Sequence, residues 1–105
     1  MADVAIPSSG GGPIVVGMYT GSNTAERTIQ LGFTPSAVVV TYDGGGFADG
    51  PILGGIVTKG HPVTYGSNSG FKILEIVENG FMVFQDKSHN IQTNGGWEHY
   101  YIAFR

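Results

Sequence analysis

Apolar and polar positions alternate along this chain at short range, with turn residues breaking the pattern every eight to twelve positions. A period of two marks half-buried strands, because successive side chains leave opposite faces of a sheet. Residues 14–20 are rich in β-branched and aromatic types, which predicts a first strand. Residues 28–33 place Ile29, Leu31 and Phe33 on one face and Thr28 and Gln30 on the other. Residues 37–42 (Ala-Val-Val-Val-Thr-Tyr) have the strongest β-propensity, and their near-continuous apolar character predicts a strand covered on both faces. Residues 52–58 predict a further strand, weakened by Gly54 and Gly55.

Residues 71–77 and 80–85 flank Glu78-Asn79-Gly80. Asn-Gly between two apolar runs signals a hairpin, because both residue types tolerate positive φ. A short strand follows at 90–93, and residues 100–105 alternate to the last position. The one helical temptation, residues 24–27, is too short and follows the turn-like Gly21-Ser22-Asn23. With no stretch suited to a crossover helix, the expectation is an all-β, antiparallel sandwich of about six to seven strands with Gly-rich loops. Residues 1–12, ending in Ser8-Ser9-Gly10-Gly11-Gly12, read as a flexible linker or tag, and residues 13–105 as the β-sandwich domain.

Composition narrows the functional classes. Of the 105 residues, 41% are hydrophobic and only 12% charged, about half the usual charged share. That balance suggests a surface partly covered by identical subunits. Five Lys and Arg residues against eight acids provide no basic face, which argues against binding nucleic acid. The absence of cysteine excludes disulfides, thiol catalysis and Cys-ligated zinc. No apolar run reaches the roughly 18 residues of a membrane helix. The start, Met-Ala-Asp-Val, lacks signal-peptide features, so synthesis in a cytoplasm is expected.

His61, His89 and His99 match no metal-ligand spacing, although a subunit axis could bring copies of one histidine together. No serine lies in a Gly-x-Ser-x-Gly elbow, and adjacency alone does not make Ser88 and His89 a catalytic pair. Neither triple-glycine run has the context of a phosphate loop. No catalytic residue, metal or cofactor is expected. Loop aromatics remain. A sugar site needs a flat aromatic platform and a few polar groups. Trp97 with Asn94, Glu98 and His99 meets that demand, as does Tyr42 with Asp43 and Asp49. The alternative for Trp97 is packing over the end of the sandwich or against a neighbouring subunit. For Asp43 and Asp49 it is turn formation.

Four motifs recur in a fixed order: Gly17-Met18-Tyr19-Thr20-Gly21; Ile29-Gln30-Leu31-Gly32-Phe33-Thr34-Pro35; Gly80-Phe81-Met82-Val83; and Tyr100-Tyr101-Ile102-Ala103. In that order they resemble a domain at the C-terminal ends of phage and prophage tail fibre proteins, over most of residues 17–105. More loosely the pattern is similar to the H-type lectins. The resemblance implies a receptor-binding tip domain in a virion, probing a cell-surface carbohydrate or other host receptor as a homotrimer joined to an upstream tail fibre segment. It carries over no sugar-binding residue, and residues 44–70 depart most from both patterns. A non-catalytic trimerisation cap or decoration module, and a small hydrolase, are the alternatives.

Overall fold

The computed structural model describes residues 13–42, 52, 54–65 and 68–105, with the side chains of residues 68 and 69 left aside. The expected linker at 1–12, and Asp43 and Asp49, lie outside the described residues.

The chain is an all-β sandwich. Its strands are β1 (Ile14–Thr20), β2 (Glu26–Gln30), β3 (Ala37–Tyr42), β4 (Gly55–Thr58), β5 (Val63–Tyr65), β6 (Asn68–Val77), β7 (Gly80–Asp86), β8 (Ile91–Gln92) and β9 (Glu98–Phe104). A 3-10 turn, Lys87–His89, sits between β7 and β8. The first sheet runs β1-β9-β3-β4, and the second β2-β7-β6-β5 with β8 attached to β7. Every ladder between these strands is antiparallel.

Nine strands appear among the described residues where six to seven were expected. The strand with no expected counterpart is β5, three residues long and too short to impress a period on the sequence; the two-residue β8 falls within the short strand expected at 90–93. The second strand also begins earlier and ends earlier than its alternation suggested. Asn79 O captures the amides of both Leu31 (2.8 Å) and Gly32 (3.2 Å), which lifts the chain off the ladder after Gln30. Leu31 and Phe33 still pack against the core from the loop.

The core lies between the sheets. Val38, Val57 and Ala103 face Leu74, Phe81 and Val83, all at most 1% exposed. Each of the Val, Leu and Phe side chains contributes on the order of 1.5–3 kcal/mol when buried. Ladder register puts Leu74 opposite Val83 and Ile76 opposite Phe81, so the two-residue period delivers consecutive core pairs to one face. Past Leu74–Val83 the β6–β7 ladder stops. There the Thr93 hydroxyl bridges the parting strands, donating to Ile73 O (2.8 Å) and accepting from Phe84 N (2.9 Å).

Candidate functional site

The expected Trp97 platform stands at one end of the sandwich, where the turn 93–97 between β8 and β9 meets the loop after β1. The turn is bonded at nearly every residue. Tyr19 Oη donates to Thr93 O (2.7 Å), Asn94 N to Phe84 O (2.9 Å), Gly95 N to Gln92 O (2.9 Å) and Trp97 N to Gly95 O (2.7 Å). Gly21 N in turn donates to Trp97 O (3.0 Å). The backbones of Gly21 and Gly95 come so close that a Cβ on Gly21 would collide with the Gly95 carbonyl. The indole lies over Gly95, whose own missing Cβ makes room for it. Two loops distant in sequence are therefore locked, and Trp97 is held on them with 43% of its surface exposed.

The structure separates the four residues grouped with this platform. Asn94 is fully buried. Its Oδ1 accepts from Ser22 N (3.0 Å), and its Nδ2 donates to Thr24 O (2.9 Å), Thr24 Oγ1 (3.0 Å) and Ser22 Oγ (3.0 Å). His99 is also fully buried. Its ring stacks on Tyr19 with centroids 4.8 Å apart and an interplanar angle of 7°, and its Nε2 lies 3.0 Å from Gly95 O. These two side chains act from inside, holding the turn in place. Trp97 and Glu98 remain at the surface.

Tyr42, assigned to a second cluster, belongs to the same end. It pairs with His99 across the β3–β9 ladder, while Tyr19 pairs with His99 on the other side. The row Tyr19–His99–Tyr42 crosses the sheet beneath the turn, and Tyr42 is half-buried. Burial raises the Tyr19 hydroxyl well above the usual phenol range, with the nearby Arg27 charge opposing in part, so this phenol is a neutral hydrogen-bond donor.

Asn23, in a segment whose sequence predicts only a turn, belongs to the same surface. It takes a left-handed conformation (φ 62°), its side chain lies against Gly96, and its Oδ1 accepts from Gln85 Nε2 (3.2 Å). The turn-like Gly21-Ser22-Asn23 was the available signal. Its proximity to Trp97 comes from contacts spanning more than 70 residues. The exposed set is thus an aromatic face on the hydrogen-bonded turn, an amide on the loop after β1 and a carboxylate at the start of β9. Such a set suits a ligand with an apolar face and hydroxyl edges.

A second cluster surrounds the 3-10 turn. Asp86 Oδ1 accepts from Ser88 Oγ (2.6 Å) and Ser88 N (3.1 Å), and Asp86 Oδ2 lies 3.0 Å from His89 Nδ1. The His89 ring stacks on Phe71 at 4.0 Å between centroids. The Ser88 hydroxyl hydrogen is directed at the carboxylate, and Nδ1 is shared by both neighbours. The three groups therefore cap a turn and do not form the serine-to-imidazole relay of a hydrolase. His61 is exposed on the turn after β4, where its amide bonds Thr58 O. Among the described residues no group of three or more His, Asp or Glu side chains converges on a common point.

No protein-family model, characterised protein or solved structure matches this chain.

Proposed function

We propose that this domain is a non-catalytic receptor-binding tip of a phage tail fibre, which recognises a cell-surface carbohydrate as a homotrimer. The observation that carries the sugar-binding part is the exposed Trp97 indole on a doubly anchored turn. A shallow site of this kind performs no bond chemistry. It gains from pre-organisation, since little side-chain or loop entropy is lost when a ligand settles on it. Weak single sites then add through copies in one assembly. The virion location and the upstream fibre segment follow from the resemblance of the ordered motifs.

The test is a glycan array read with the intact chain, after its solution mass has been measured by light scattering. An oligomer that binds a defined sugar, and loses it in Trp97→Ala with unchanged thermal unfolding, is the expected result. Binding that survives Trp97→Ala removes the platform. An oligomer silent on every glycan favours the second reading, a trimerising cap or decoration module. One observation favours that reading too: the first sheet carries a broad apolar outer face.

A further inference from the structure

The two outer faces of the sandwich differ in chemistry. On the second sheet, β2 turns Glu26, Thr28 and Gln30 outward. On the first sheet the outward positions form apolar rows across the strands. One row is Val16–Ile102–Val39–Ile56, from β1 through β9 and β3 to β4. The row beside it continues with Met18, Tyr100 and Thr41. Val16 is 53% exposed, Met18 50% and Ile56 66%. Across both rows no side chain is ionisable except the Tyr100 phenol, whose hydroxyl donates to Glu98 at the rim (3.3 Å). Val16, Met18, Val39, Thr41, Tyr100 and Ile102 also border a depression of about 420 Å³.

We propose that this face is the surface through which copies of the chain bind one another. The proposal rests on the self-association put forward above and names its location. Three arguments favour a second copy as the occupant. The first is area. The uncovered parts of these side chains amount to on the order of 500 Å², the upper end of what monomers expose (~300–600 Å²). With their half-buried neighbours they approach the ~800 Å² each partner gives to a standard interface. The second is charge. A face with no net charge is complementary to itself, whereas a charged partner would leave its own groups desolvated and unpaired. The third is stoichiometry. An apolar sheet face beside a β1 edge that pairs with no further strand among the described residues is an aggregation hazard, and a closed assembly of identical chains removes it at every copy.

Light scattering on the full chain and on two variants, Val16→Lys and Ile56→Glu, tests the surface. Both positions are more than half exposed, so the fold of one subunit tolerates them. The expected result is a wild type at a multiple of 11.0 kDa and variants at the single-chain mass, with unchanged far-UV circular dichroism. Variants that keep the wild-type mass overturn this surface while leaving self-association standing. A wild type monomeric at all concentrations overturns both. A labelling measurement keeps the test decisive if a variant fails to fold. The chain has no cysteine, so Ile56→Cys supplies a unique thiol and Glu78→Cys, on the β6–β7 hairpin, a control. Maleimide labelling at Ile56→Cys should slow at least about 10-fold above the association midpoint, with Glu78→Cys unaffected. Equal rates at both concentrations overturn the proposal. So does protection of Ile56→Cys in a monomer, which would assign the face to a segment of the same chain.

Discussion

Asn94 and Thr93 do most of the joining at the candidate site, and both are invisible from the outside. The Asn94 side chain satisfies four partners in the Ser22–Thr24 stretch. Asn94→Ala removes these four hydrogen bonds from a fully buried position, which costs about 1–3 kcal/mol for such a deletion. The expected effect is a thermal midpoint lower by roughly 4–24 °C, at about 4–8 °C per kcal/mol for a domain near this size, while Trp97→Ala leaves the midpoint nearly unchanged. An unaltered midpoint in Asn94→Ala would show that the two loops hold together without this side chain. The sequence could not separate these roles. Asn, Glu, His and Trp beside glycines have the composition of a binding loop, but whether each points outward depends on contacts with residues near position 20, which no local pattern encodes. Trp97 and Glu98 were legible as surface groups; Asn94 and His99 read the same way and are internal. Asp86 offers a residue-scale pH test. Its carboxyl is held below the ordinary value of 3.8, first by the Ser88 hydroxyl and also by His89. A carboxylate with a depressed folded pKa adds stability that is complete above the unfolded value and disappears as pH falls through the folded one. Asp86→Asn should therefore flatten the acid limb of the stability profile below about pH 4 and leave its shape unchanged near neutrality. The effect is small because the pair faces solvent.

Among the elements, the β6–β7 hairpin shows how a correct signal can rest on a different residue. The Asn-Gly dipeptide did mark the hairpin, but Val77 pairs with Gly80, so the central residues are Glu78 and Asn79. Asn79 alone of the two takes positive φ, at 66°. Gly80 already belongs to the strand, fully enclosed, and a Cβ there would run into Ile29 O on β2. Gly80 is thus required by the approach of the neighbouring strand and not by turn geometry. Two substitutions separate these roles in urea unfolding. Asn79→Gly keeps the φ and should change stability by about 0.5 kcal/mol or less. Gly80→Ala must displace β2 and should cost about 1–3 kcal/mol. Equal costs would return the turn to the Asn-Gly pair. The longer strands were legible because their alternation is set by one buried face. β5 was not, since its pairing with β6 runs through register shifts and depends on a neighbour already in place, whereas β8 lies within the short strand expected at 90–93.

For the molecule as a whole, the two proposed surfaces belong to different parts of the first sheet: the apolar rows on its outer face, and the Trp97 turn at the end of the sandwich. This division lets assembly and ligand binding be varied independently. A chain that associates through Val16, Ile102 and Ile56 should show an unfolding midpoint that rises with protein concentration, because association draws only on the folded state. Val16→Lys should abolish that dependence. It touches nothing in the Trp97 turn, so affinity for a free monovalent sugar, read by NMR titration, should stay within about twofold, well under 1 kcal/mol. Retention on a surface coated with the same sugar is a different quantity, since it multiplies sites held in one assembly. Loss of assembly should reduce it by about 10²-fold or more. If Val16→Lys instead weakened the monovalent affinity by the same factor, the outer face and the turn would be one coupled site, and avidity would have no part in the binding.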